Sequence, residues 1–417
     1  MMNLAGENKE NILRSPQFIH EFQSFFGVQK LKISKKYDDK KWISVRGAGT
    51  AGPKDHILTN GSTFQDGETK HEKNIVYYQI NSKFWYYLFL FGTQLGEEPF
   101  CALFFSLWFW NLDASIGRRL VLVWNLIMYI GQYLKDFIRW ERPGMPIVVQ
   151  LQTKWSLEYG MPSTHAMLGV AVPGAALWFT VAKFNIDTEV ALGVIRYNIF
   201  ALVFKTLPLS LSNNDLSLSV WTLLVCTSRM YLGMHSLGDI LAGLLISVLL
   251  LAPVLYLVNV TDVFLVQSPL APPIVLVLSI LLIWAFPYPE SDFWSPSAVT
   301  TVDVLGCYHG AHLGQWTLFS LSLIKMIHHP ELSTDIMMPD MKQTGLMLVR
   351  VIIGGLTAAV VRMVVKPRLQ KLAENISPSS SKKEFSQKNK YTTSMIMGKV
   401  NEIFGNKLYT IQQYIMY

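Results

Sequence analysis

From Phe84 onward the chain is a succession of apolar runs, and nothing else in the sequence restricts its fold as much. A helix needs roughly 20 apolar residues to cross the hydrocarbon core of a bilayer. In lipid, each backbone N–H and C=O must find a partner within the protein, which favours helices here and excludes open sheet. The candidate spans are 84–110, 120–137, 166–181, 192–209, 240–258, 274–286, 304–327 and 346–365. "GEEP" interrupts the first, which reads as one bent helix or as a re-entrant piece followed by a span. The run from Ile274 is short unless "PLAPP" joins it. The expected fold is all-α, a polytopic membrane helical bundle.

Composition points the same way: 51% of residues are hydrophobic and 16% charged, against about 25% charged in an ordinary soluble domain. The net charge of +7 comes largely from "KISKKYDDKK", "KPRLQKL" and "SKKEFSQKNK". These basic stretches do not alternate with aromatics along a helix face. They read as solvated flanks near acidic headgroups, with no nucleic-acid partner. Cys101, Cys226 and Cys307 lie far apart and offer neither a disulfide framework nor a zinc site. Residues 1–83 read as a polar, flexible arm, 84–366 as the multi-span domain, and 367–417 as a polar basic tail with a weakly amphipathic end. The first residues lack the apolar core of a cleaved signal. Sequons at Asn60, Asn259 and Asn375 matter only where their segments face the lumen.

Three polar segments stand at the ends of apolar runs. In "KDFIRWERP", Lys135 and Arg142 are two helical turns apart and so share a face if the segment is helical, and Pro143 then stops the helix. In "MPSTHAM", Pro162 and Ser163 open a helix whose free N–H groups and positive dipole end suit an anion, with His165 in the first turn. In "CTSRMYLGMHSLGDI", the spacing of His235 and Asp239 places a carboxylate beside the imidazole on a helix. A carboxylate there accepts the Nδ1 proton and leaves Nε2 as nucleophile or base. Ser228 and Arg229 reach the same point from the loop. Three cations, two histidines, hydroxyls and helix amides together suit a dianionic phosphate.

Each Lys, Arg or Asp at a bilayer centre costs about 2.5–3.5 kcal/mol. These groups must therefore lie near one membrane face, around a wet pocket, which is where the active site is expected. Taken singly, each has a plainer reading: snorkelling cations, a polar helix start, a structural His–Asp pair. Their occurrence together argues for a site. The plainer reading is kept for His309, His312, His328 and His329 as structural histidines, for Glu97 and Glu98 as a helix cap or bend, and for Glu141 as a solvated partner of a neighbouring cation.

Lys135 to Arg142-Pro143, Pro162-Ser163-Thr164-His165, and Ser228-Arg229 to His235 to Asp239 resemble the three-part motif of the phosphatidic-acid phosphatase type 2 superfamily, with every spacing intact. "MYIGQYLKDFIRW", "MPSTHAM" and "SRMYLGMHS" are similar to its sphingosine-1-phosphate phosphatase branch, with Thr164 where the superfamily has glycine. The resemblance runs from about Phe84 to Arg362 and leaves out the arm and the tail. It implies a metal-independent phosphomonoesterase with no cofactor, working through a phosphohistidine. The implied substrate is a phosphorylated sphingoid-base lipid at the lumenal face of the endoplasmic reticulum membrane, with membrane lipids around the protein and no obligate protein partner. By position, the resemblance makes His235 the nucleophile, Asp239 its orienting carboxylate, and His165 the general acid and then base. Lys135, Arg142, Ser163, Ser228, Arg229 and the Thr164 amide would hold the phosphate oxygens.

Both histidines must open to one face, so an even number of crossings separates them. Two are expected, with part of 196–219 an insertion relative to the family. Arg118 and Arg119 favour a cytosolic loop before the span ending at Phe137, and hence a lumenal catalytic loop after it. Three other readings stay open: a phosphatase for another lipid phosphate or diphosphate, a non-catalytic relative, and an anion carrier whose charges line a path without chemistry.

Overall fold

The structure, a computed structural model, describes residues 13–30, 56–59, 75–144, 147–152, 158–184, 215–285, 296–323 and 340–376. In chain order the elements are α1 (Pro16–Phe25), β1 (Val28–Lys30), β2 (His56–Thr59), β3 (Ile75–Ile80), α2 (Lys83–Gln94), α3 (Glu98–Leu107), a π-helical turn (Trp108–Leu112), α4 (Ala114–Ile138), α5 (Thr164–Lys183), α6 (Asp215–Tyr231), α7 (Leu237–Gln267), α8 (Ala271–Trp284), α9 (Pro296–Ser320) and α10 (Met341–Ile376). They fall into two compact units, residues 1–97 with 118–336, and residues 98–117 with 337–417. The candidate site lies wholly in the first. In the second, α10 packs along the π-helical turn.

Among the described residues, three helices are long and apolar enough to cross a membrane: Thr164–Lys183, Leu237–Gln267 and Met341–Val365. The bundle is helical as expected, and three short strands form an antiparallel sheet in the order β1-β3-β2. The "GEEP" interruption separates two helices, since α2 ends at Gln94 and α3 begins at Glu98. "PLAPP" contributes only its Ala-Pro-Pro to the first turn of α8, which at 14 residues stays shorter than a span. The candidate span 192–209, His328, His329, Asn60 and the amphipathic tail lie outside the described residues, as does the expected insertion apart from its last residues, which start α6.

Helix α5 is the centre of the first unit and packs against both α6 and α7. Its small residues, Ala166, Gly169, Ala171 and Ala175, let neighbouring backbones approach, which is how helices associate where no hydrophobic drive separates protein from lipid. Two buried hydroxyls fix the register: Thr222 Oγ1 donates to Gly169 O at 2.7 Å, and Ser247 Oγ donates to Met167 O at 2.8 Å. The outer faces carry exposed Leu241, Leu245, Leu249 and Tyr256 on α7 and Ile274, Leu278 and Leu281 on α8. Lipid tails are the natural cover for such a surface.

The expected flexible arm is in part an ordered element. Ser15 caps α1 by accepting from Phe18 N at 3.4 Å, and Pro16 occupies the first turn, where its missing N–H is not needed. Ile19, Gln23 and Val28 are buried. The physical reason is one amide: Gln23 Nε2 donates to Val149 O at 2.7 Å and to Tyr231 O at 2.8 Å, while its Oε1 accepts from Val149 N at 3.1 Å. The arm thereby fastens the loop after α4 to the turn after α6.

Candidate active site

Helix α4 delivers Lys135 in its last turn and ends at Ile138, where Arg139 takes a left-handed φ of 56°. Arg142 therefore does not share a helix face with Lys135, contrary to the spacing argument, but enters from an extended loop. Both meet at Glu158. Lys135 Nζ is 2.7 Å from Glu158 Oε2, and Arg142 Nη2 is 3.5 Å from the same oxygen. Arg142 also donates from Nε to Glu158 O at 2.8 Å and from Nη1 to Met234 O at 2.7 Å. Burial alone would raise the Glu158 carboxyl, but Lys135 and Arg142 outweigh it and hold it below the usual carboxylate range.

His235 sits in the turn between α6 and α7. Gly233 has a φ of 68°, and a Cβ on it would lie 2.4 Å from Val149 O, so the turn admits no side chain there. The relation of His235 to Asp239 differs from the expected helical pair. Ser236 is the N-cap of α7, and Asp239 folds back in a capping box: Ser236 N donates to Asp239 Oδ2 at 2.7 Å, and Asp239 N donates to Ser236 Oγ at 3.2 Å. His235 thus precedes the helix, and its Nδ1 is 3.8 Å from Asp239 Oδ2, beyond a direct hydrogen bond.

The imidazole's state follows from its other neighbour. Arg142 Nη1 lies 3.1 Å from His235 Nε2. A guanidinium only donates, so Nε2 is the acceptor and the ring proton belongs on Nδ1, toward Asp239. Burial first, then the charges of Arg142, Arg229, Lys135 and His165, hold the imidazole pKa well below its ordinary value and keep it neutral.

The second segment forms as the sequence predicts. Ser163 caps α5, accepting from Ala166 N at 3.5 Å. Thr164 and His165 open the helix, and their amides have no intrahelical acceptor. His165 Nε2 lies 3.4 Å from Glu97 Oε1. From the other side α6 returns toward this end and presents Arg229 from its last turn rather than from a loop. Arg229 Nη1 donates to Thr93 Oγ1 at 2.6 Å and to Gln152 Oε1 at 3.0 Å. Ser228 departs from expectation, because its hydroxyl donates back to Val225 O at 2.6 Å and its proton is committed to its own helix.

Among the described residues, five buried atoms here lack a hydrogen-bond partner: His165 Nε2, His235 Nδ1, Glu158 Oε1, Asp239 Oδ1 and Arg229 Nε. Unpaired polar atoms are rare in protein interiors, and their concentration fits a place built for a charged guest. Among the described residues no three His, Cys, Asp or Glu side chains gather as a metal-binding cluster.

At the far end of α4, Arg118 grips Asp262 through two bonds of 2.6 and 2.7 Å, and Arg119 adds a third at 2.9 Å. At 1.5 Å per residue, Arg118 and Lys135 stand about 25 Å apart along the helix. The cations of α4 thus stand at its two ends, with the buried amides of Asn125 and Gln132 between them.

Sequence reasoning missed Glu158 and Gln23 and read Glu97 as a helix cap or bend, with a role near the pocket mouth as the lesser alternative. Glu158 stands in a loop with no periodicity to betray it, and its nearness to "MPSTH" was the available signal. Gln23 lies in a stretch too polar to suggest a core, although the apolar residues of α1 recur on one face.

Residues 116–261 match the profile of the PAP2 superfamily. Sphingosine-1-phosphate phosphatase 1 of Mus musculus is 35% identical over 396 residues, which cover 85% of this chain and 84% of that protein. The protein of the same name from Rattus norvegicus is 36% identical over 324 residues, covering 76% and 67%. Sphingosine-1-phosphate phosphatase 2 of Mus musculus is 36% identical over 283 residues, covering 65% and 72%. No solved structure matches the chain.

Proposed function

The chain belongs to the PAP2 superfamily, in its sphingosine-1-phosphate phosphatase branch, and from that membership we propose that it hydrolyses sphingosine-1-phosphate and related sphingoid-base phosphates through a phosphohistidine on His235. It is a multi-pass membrane protein and a lipid phosphate phosphatase of the PAP2 type. The reading extends this to the endoplasmic reticulum, with the pocket on the lumenal face and Arg118 and Arg119 at the cytosolic end of α4. The substrate's chain stays in the bilayer while its head reaches the pocket.

The observation that supports the reading best is the approach of Arg142 Nη1 to within 3.1 Å of an unprotonated His235 Nε2. In the proposed reaction Nε2 forms a bond to phosphorus as the P–O bond to the alcohol breaks, and His165 gives the departing oxygen its proton. His165 then takes a proton from water, whose oxygen attacks phosphorus, breaks the N–P bond and releases inorganic phosphate. Asp239 faces the Nδ1 side of His235 and stabilises the positive charge that develops there. Lys135, Arg142 and Arg229, with the Ser163 and Thr164 end of α5, hold the equatorial oxygens. Three protein cations balance the dianion, so the reading requires no metal ion.

The test is phosphate release from a panel of sphingoid-base, lysophosphatidate and polyprenyl phosphates in excess chelator, using membranes that carry the full chain. His235→Ala and His165→Ala are assayed beside it, with membrane insertion verified. Turnover that is selective for sphingoid bases and lost in His235→Ala is expected. Undiminished turnover by that variant would remove His235 as nucleophile, and a preference for another lipid would move the substrate.

A further inference from the structure

We infer that the turn closing α2 is a fourth segment of the active site, in which Glu97 is the positioning residue that favours a proton on His165 for the departing alcohol. The inference rests on the proposed roles of the two histidines and adds a group outside the three motifs. It also lies outside the family match, which begins at residue 116.

Three residues of this turn face the site. Thr93, wholly buried, accepts from Arg229 Nη1 at 2.6 Å. Gly96 presses against the imidazole: a Cβ there would come within 2.8 Å of His165 Cδ2, so any side chain would push the ring away. Glu97 follows at 7% exposure with Oε1 3.4 Å from His165 Nε2. Two backbone bonds, Gly96 N to Thr93 O at 3.1 Å and Glu97 N to Gln94 O at 3.0 Å, shape the turn.

The charges around His165 explain why a carboxylate is needed. Arg229 from α6 and Lys135 from α4 bring positive charge to the ring, and the Glu97 carboxylate, 3.4 Å away, sets a negative charge against it. Glu158, from the loop before α5, also acts on His165, and His235 faces it from the turn before α7. Glu158 lies against Lys135 and Arg142, and Glu97 brings its carboxylate within 3.4 Å of this imidazole. With Glu97 on the Nε2 side, Nδ1 is the nitrogen that delivers the proton, and the ring returns to neutral as the alcohol leaves. The two histidines then differ in their neighbours: a cation faces Nε2 of His235, and an anion faces Nε2 of His165.

The experiment measures kcat/KM against pH for a sphingoid-base phosphate, in membranes carrying the wild-type chain, Glu97→Gln, Glu97→Asp or His235→Ala. Glu97→Gln should lose about 10²-fold, the scale of general acid catalysis, with its basic limb moved about one unit to lower pH. Glu97→Asp should restore much of the rate, with a limb between the two. An unmoved basic limb in Glu97→Gln, whether or not the rate falls, overturns the role of Glu97. Where Glu97→Gln does not accumulate, the limb of Glu97→Asp decides in the same way. Loss in His235→Ala together with an unmoved limb refutes Glu97 alone, whereas activity in His235→Ala refutes the parent reading.

Discussion

Arg142 Nη1 and His235 Nε2 are 3.1 Å apart, so the guanidinium assigned to the phosphate already touches the atom assigned to attack it. In the resting site this contact occupies the imidazole lone pair and sets its tautomer. When an oxyanion enters, the same N–H can turn to a phosphate oxygen without a large movement of the fork.

A pH dependence of stability follows from this contact. The His235 pKa is lowered from 6.5 in the folded chain, by burial and by neighbouring cations. Below that pH the unfolded chain binds a proton that the folded site resists. This contribution is therefore fully present above pH 6.5 and is lost as the pH falls below it, by at most about 1.4 kcal/mol per pH unit for one proton. Thermal unfolding of wild type and His235→Asn in detergent, from pH 7.5 down to 5, checks it. Wild type should lose more stability than the variant, and parallel curves would contradict the neutral, buried imidazole.

Glu158 serves as a counter-charge to the cations assigned to the phosphate. Removing one partner of a buried pair costs about 3–5 kcal/mol because the other charge is left uncompensated. Glu158→Ala should therefore unfold at a markedly lower temperature. Vanadate, a phosphate-like oxyanion, should restore more stability to it than it adds to wild type, since it neutralises Lys135 and Arg142 where the carboxylate no longer does. Equal shifts in both proteins would show that these cations do not receive the oxyanion.

Gln23 is a structural prediction with a catalytic readout. Replacing it with Leu leaves Val149 N, Val149 O and Tyr231 O without their amide partner, at about 1–3 kcal/mol for each buried group left unsatisfied. Gln23→Glu should be no better, because an ionised carboxylate cannot donate to two carbonyls. Both variants should lower the melting temperature and the phosphatase rate together, as measured on detergent-solubilised protein. Full activity in either would mean that the turn bearing His235 holds its place without the arm.

Local chemistry was legible where one short segment decides it. Ser163 as the cap of α5, and the break at "GEEP", could be read from neighbouring residues alone. Arg142 and Asp239 were identified, but their geometry was misjudged, because a helical period was extended through residues where the backbone leaves the helix. Arg139 in the left-handed region and Ser236 as a cap redirect both side chains. Glu158 and Gln23 were not legible for a different reason: each acts on a partner brought near only by tertiary folding, and neither carries a local pattern.

The match at residues 116–261 contains all three cations and both imidazoles, yet Gln23, Thr93 and Glu97 lie upstream of it. A fragment cut to the limits of that match would carry the reacting groups without the amide that ties their loops together or the side chains braced against Arg229 and His165. The unit that is shared across the superfamily is thus smaller than the unit that assembles this site, and a search for sequence variants that impair the protein should begin well before its first recognised motif.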